Sequence, residues 1–180
     1  MPVHIALLRA VNVGGTGKLT MSDLKALCGK VGFSDVKTYI QSGNVLFRSE
    51  HSAGDAARIL DEALGKVMGK APGVMVRSRN QLEKIAENNP FPDAQPNYLM
   101  VNFLPEEAPK DVLDKLVAPD GEEVHVAGGE IYVHYPNGSG RSKLKLPALK
   151  QATSRNLNTV RKLAELAAEM EDGYRAAPQT

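Results

Sequence analysis

The stretch VNVGGTGKLT, Val11 to Thr20, holds three glycines and a lysine within ten residues. That composition suits a loop that wraps backbone amides round a phosphate. A P-loop needs Gly-x-x-x-x-Gly-Lys-Ser/Thr, so that amides cradle the phosphate, the lysine reaches it and the hydroxyl takes the metal. Gly17 and Lys18 fit this spacing, but Asn12 stands at the first glycine and Leu19 at the hydroxyl. The ATP-type loop fails on both, and a looser anion loop is left, using the amides of Gly14 and Gly15 with Lys18. The same glycines have a structural reading, since a strand turning sharply into a helix needs positive φ.

Other chemistries are poorly supplied. Cys28 is the only cysteine and falls on an apolar helix face, where it reads as packing. A single thiol also excludes a disulfide framework and fits a reducing compartment. The four histidines are scattered, so no zinc site is expected. His125 and His134 flank Gly128-Gly129. Pairing outward from that turn sets His125 against Tyr132 and Glu123 against His134, on one polar face. Such a face is half of a metal site or a plain solvated surface. No serine, cysteine or threonine has a recognisable base partner, and no carboxylate pair stands at an expected cleft, so the residues specify no reaction. No metal and no cofactor is expected.

At 180 residues the chain suffices for one ordinary domain or two small lobes. Its net charge of +1 argues for no partner, but the charges are segregated. Residues Ile131 to Ala164 contain no Asp or Glu while carrying Arg141, Lys143, Lys145, Lys150, Arg155, Arg161 and Lys162. Such a segment raises a local positive potential, or forms a solvated lysine-rich face. No apolar run approaches the roughly 20 residues of a membrane span, and MPVHIALLRA lacks a basic region ahead of its apolar stretch. A cytoplasmic protein with no membrane partner is expected.

The elements that must position these residues follow from periodicity. Val3 to Leu8 reads as a buried strand, and Thr20 with Asp23 as a capping box for a helix that Gly32 stops. Val36 to Ile40 and Val45 to Arg48 form a hairpin round Gln41 to Asn44. Ser52 with Asp55 opens a helix closed by Gly69, and Val74 to Arg77 is a fourth strand. This β-α-β-β-α-β order is that of a ferredoxin-like plait. A looser second set follows: a short helix capped by Ser78 and Gln81, a linker from Asn88 to Pro96, and a strand from Tyr98 to Leu104. After it come a helix opened by Pro109, the Gly-Gly hairpin, and a terminal helix preceded by Thr153 to Thr159. The expected class is α+β, two tandem ferredoxin-like plaits, each an antiparallel sheet with helices packed on one face. The lobes span 1–78 and 79–172, and the tail 173–180 frays.

In a plait of strand order 4-1-3-2, the loop Ala10 to Leu19 and the turn Gln41 to Asn44 share one rim, about 10 Å apart. The N-terminus of the first helix belongs there too, with its unpaired amides and positive dipole end. Arg9, Asn12, Lys18, Gln41, Ser42 and Asn44 bring hydrogen-bonding side chains to that rim. Ser42, Gly43 and Asn44 also suit an ordinary hairpin turn. Thr153 or Asn156 would cap the last helix, while Arg155, Asn156 and Asn158 would offer planar donors to phosphate or carboxylate. If this segment meets the rim, Arg9, Lys18 and Arg155 face one cleft.

Three segments, LLRAVNVGG from Leu7, TYIQSGNVLFRS from Thr38 and TSRNLNTVRKLAEL from Thr153, resemble the uncharacterised, mostly bacterial family designated domain of unknown function 1697, in order and over nearly the whole chain. The resemblance implies two tandem α/β plaits and names no reaction. The family's characteristic positions fall here on Arg9, Asn12, Gly14, Gly15, Lys18, Gln41, Ser42, Gly43, Asn44, Thr153, Arg155, Asn156, Asn158 and Thr159. Ser154 replaces the usual alanine and Leu157 the usual aromatic, which removes any stacking role there.

The functional expectation is a small anionic ligand, phosphate- or nucleotide-like, in a cleft near the first lobe's rim. Nucleic-acid backbone binding by Arg141 to Lys162 is the main alternative. Base-stacking recognition is disfavoured, because VHIALL and NVLFRS supply only Phe47, where an RNA-reading plait needs aromatics on its central strands. An oligomeric scaffold without ligand stays open.

Overall fold

The computed structural model describes residues 1–9, 19–40 and 43–176. Hydrophobic alternation and turn chemistry set its elements in chain order: β1 (Val3–Leu8), α1 (Met21–Lys30), β2 (Ser34–Tyr39), β3 (Asn44–Arg48), α2 (Ala53–Met68), β4 (Val74–Ser78) and α3 (Arg79–Glu87). Then follow β5 (Leu99–Phe103), β6 (Glu123–Ala127), β7 (Glu130–His134), β8 (Thr153–Asn156) and α4 (Leu157–Ala176). The fold is α+β, with two four-stranded antiparallel sheets ordered β2-β3-β1-β4 and β6-β7-β5-β8. Two compact units divide the chain, one of Met1–Glu83 with Lys162–Thr180, the other of Lys84–Arg161. The terminal helix is thus shared between units along its length, whereas the sequence suggested one second lobe over 79–172.

In the first unit every residue of β1 is buried. Ala6 and Leu8, with Val45, Phe47 and Val76 from β3 and β4, meet the apolar stripes of α1 and α2 (Leu24, Cys28, Ala56, Leu60, Leu64). Phe47 stacks on Phe33, ring centroids 4.0 Å apart. The capping box forms as its spacing requires: Asp23 N–H donates to Thr20 Oγ1 at 3.0 Å and Thr20 N–H to Asp23 Oδ2 at 3.3 Å. Ser52 caps α2 through the Asp55 N–H, and Gly69 ends it at φ +85°, a left-handed conformation open to glycine. On the opposite face Arg48, 4% exposed, donates from Nε to Asp35 at 2.8 Å and also to the carbonyls of Met1 and Met170. This arginine ties the N-terminus, β2 and α4 of the first unit together.

The second unit departs from the expected elements in two places. The helix opened by Pro109 is a run of separate turns, with i to i+3 bonds from Val112, Asp114 and Leu116. The segment is too short for a self-supporting helix, and Pro119 bars helical geometry for the residue before it. Val117 instead makes a two-bond bridge to Lys145, at 2.9 and 2.8 Å. That exchange draws the segment's end into extended backbone. The approach to the last helix, on the other hand, contains a strand, β8, which pairs with the free edge of β5 from Met100↔Asn156 to Phe103↔Thr153. One face of this sheet buries Ile131, Val133 and Leu104 beneath the turns after Pro109 and a 3₁₀ helix, Pro147–Gln151. Irregular segments take the place of the expected helical cover.

The hairpin register matches the count outward from Gly128-Gly129, with His125↔Tyr132 and Glu123↔His134. The shared face is not wholly polar, because Tyr132 is 2% exposed and its hydroxyl donates to the Ile85 carbonyl at 2.7 Å. At the chain end α4 runs past Gly173 to Ala176, so the helix outlasts the expected start of the frayed tail. Residues 177–180 lie outside the described residues.

Cys28 is fully buried against the first sheet, and desolvation pushes its thiol up to about 12 from an ordinary 9.0. Because the folded state holds this proton more tightly than the unfolded state, the stabilisation is full below about pH 9 and fades as pH rises toward 12. Ellman's reagent should therefore find no thiol in the native protein and one in denaturant. Across that alkaline window the parent should lose stability relative to Cys28→Ala.

Candidate functional site

Antiparallel pairing fixes which chain ends meet. The C-terminal end of β1 lies between the starts of β3 and β4, as the pairs Leu7↔Asn44 and Leu8↔Val74 show. Backbone bonds continue past the strand: Leu8 N–H donates to Gly43 O and Arg9 N–H to Gly73 O, both at 2.9 Å. Arg9, Gly43 and Asn44 therefore occupy one end of the first sheet. Arg9 is half-buried. Gly73 faces its stem, at φ +96°, and a Cβ there would sit 3.5 Å from Arg9 Cβ and Cδ. Asn44 is 1% exposed and donates from Nδ2 to Tyr39 O at 3.0 Å, bracing the start of β3 against the end of β2. Asn12, Gly14, Gly15, Lys18, Gln41 and Ser42 lie outside the described residues.

Beside this end, Ile40 adopts φ +47° while 45% exposed. A β-branched side chain in the left-handed region is strained, and strain of this kind persists only where its surroundings hold it.

The segment before α4 belongs largely to the second unit's own framework. Arg155 is 5% exposed on β8, opposite Val101. Its guanidinium donates to Thr153 Oγ1 at 2.6 Å and to Ser154 O at 2.9 Å. Burial pushes its pKa down to about 10, so at neutral pH it remains a largely desolvated cation. Asn156 caps α4, its Oδ1 accepting from the Thr159 N–H at 2.9 Å, and Asn158 is exposed on the first turn. Leu157 is 1% exposed, a core residue and no stacking platform. Ser154 donates to Asn102 Oδ1, and Asn102 in turn donates to Ile131 O at 2.9 Å, a polar line across β8, β5 and β7.

Two further charges are buried without any motif to mark them. Besides Arg48 there is Glu122, 9% exposed, whose carboxylate accepts from Ser142 Oγ at 2.7 Å and the Asp120 N–H at 2.8 Å. The Ser142 hydroxyl chiefly holds this carboxyl below its ordinary range. Together with Tyr135 and Arg141 these groups line a hollow of about 210 Å³. Burial, then the Glu122 charge, raises the Tyr135 phenol. The one sequence signal was the Gly/Ser-rich stretch Pro136 to Ser142, which marks a loop but not its partner. Among the described residues no cluster of three His, Cys, Asp or Glu side chains is placed to hold a metal.

The α+β class, with two antiparallel sheets, is shared with a solved structure described as conserved bacterial protein SP0830 from Streptococcus pneumoniae. The two chains are 24% identical, with a TM-score of 0.71, and the match covers 92% of this chain and 98% of that one. This likeness concerns the fold. Residues 1–132 match the family model described as Protein of unknown function (DUF1697), and the chain belongs to that family. No curated protein matches it.

Relief of the strain at Ile40 is measurable. Ile40→Asn should raise stability by about 1 kcal/mol, because asparagine tolerates the left-handed region. Chemical denaturation checks this. A lower midpoint would show that the exposed isoleucine earns its conformation through contacts instead.

Proposed function

We propose that the chain binds a small anionic ligand, phosphate- or nucleotide-like, at the end of the first sheet where β1 and β3 meet. The observation that carries this reading is the adjacency of Arg9 to Gly43 and Asn44 through the Leu8–Gly43 bond. Long donors placed at the mouth of a strand that turns into a helix suit an anion, since the helix N-terminus adds unpaired amides and a positive dipole end. In this reading Arg9 and Lys18 supply charge, Gly14 and Gly15 supply amides, and Asn12, Gln41 and Ser42 orient the ligand. Asn44 braces the turn. Arg155, Asn156 and Asn158 lie in the second unit, where Arg155 bonds to Thr153 and Ser154 and Asn156 caps α4.

We further infer that both sheets are ferredoxin-like plaits in tandem. Each orders its four strands as second, third, first, fourth. The first carries helices in its crossovers; the second replaces them with turns and a 3₁₀ helix. A cytoplasmic setting fits the single buried thiol, and among the described residues no helix is long and apolar enough to cross a membrane.

Backbone binding to nucleic acid is favoured by one observation, the exposure of Arg141, Lys143, Lys145 and Lys150 in succession. The patch is shorter than the sequence suggested, because Arg155 is buried and Lys162 pairs with Glu165 at 3.4 Å. Thermal-shift measurement with phosphate, nucleotides and small carboxylates separates the readings. The anion site predicts a rise in melting temperature at saturating ligand that Arg9→Ala removes. Indifference to the whole panel, with salt-dependent retention on a nucleic-acid column, would transfer the case to the basic segment.

A further inference from the structure

The second unit holds a groove of about 660 Å³ between the turns after Pro109 and the 3₁₀ segment at Pro147, a volume in the range of small-molecule sites. Its apolar surface comes from Val117, Leu144 and Leu149, and its charge from Lys115, Lys145 and Lys150. Val117 is 50% exposed, so its side chain is open to a guest in the groove. Among the described residues that line this groove there is no carboxylate. The nearby Asp111 and Asp114 border a separate, adjoining hollow that shares only Lys115 and Pro147 with it. Among the described residues neither Lys115 nor Lys145 has a carboxylate partner.

The arrangement is held in advance of any ligand. The paired backbone bonds between Val117 and Lys145 set an aliphatic and a cationic side chain next to each other on one face. Pro147 stiffens the opposite wall. A guest that satisfies both features needs an apolar body to cover the aliphatic surface and a single anionic head within reach of the lysines. Phosphate or acetate would use only the charge, and a neutral hydrocarbon only the surface.

We propose that this groove binds an amphiphilic carboxylate, its apolar body against Val117, Leu144 and Leu149 and its head among Lys115, Lys145 and Lys150. Ammonium groups at the rim steer the head and fix its orientation, while burial of the apolar body supplies most of the affinity. The site is separate from the end of the first sheet, and its chemistry differs by requiring that body.

Displacement of anilinonaphthalene sulfonate from the full chain tests the proposal, with decanoate kept below its micelle threshold as competitor. Decanoate should displace the probe, whereas acetate and phosphate at equal ionic strength should not. Lys115→Glu with Lys145→Glu should weaken decanoate binding about tenfold or more, and Lys145→Gln should weaken it less, with far-ultraviolet circular dichroism unchanged. Equal displacement by acetate would reduce the groove to a plain charge site and overturn the proposal. So would displacement by a short RNA but not by decanoate, or undiminished decanoate binding in the double variant.

Discussion

The first sheet depends on the double pairing of β1. This strand is bonded on both sides along its length and none of its residues is exposed, so its direction and its end point are fixed by two ladders at once. A one-residue slip would exchange Ala6 and Leu8, which face α1 and α2, for Ile5 and Leu7. The bonds from Leu8 to Gly43 and from Arg9 to Gly73 carry that constraint one step beyond the strand. Whatever the rim does chemically, the position of Arg9 follows from the core beneath it.

Much of the first unit was legible because its local signals agree. The Ser52 cap, the left-handed Gly69 and the apolar stripe of α2 all point to the same element, and strand order followed from the β-α-β-β-α-β sequence. The second unit was harder to read for physical reasons. The residues after Pro109 have a helical period but too little length to hold a helix, and the bridge from Val117 to Lys145 joins segments far apart in sequence. Strand β8, Thr-Ser-Arg-Asn, has no apolar alternation; it exists because β5 offers an open edge.

The candidate residues divide along the same line. Position was readable where topology decides it, as at Arg9 and Asn44. Burial was not, since nothing in the sequence distinguishes Arg155, enclosed among oxygens on β8, from the exposed Arg141. Glu122 and Arg48 likewise look like surface charges until Ser142 and Asp35 are seen beside them. Within the basic stretch Arg155 is enclosed, Arg141 lines the hollow beside Glu122, Lys162 pairs with Glu165 along α4, and Lys145 and Lys150 line one groove.

The central claim is that the end of the first sheet receives an anion, and amide chemical-shift mapping with phosphate and then a nucleotide tests it most directly. The account predicts saturable shifts at Arg9, Gly14, Gly15 and Gly43, with the amides of α2 unmoved. Shifts confined to Arg141 through Lys150, or none at all at high ligand, would contradict it.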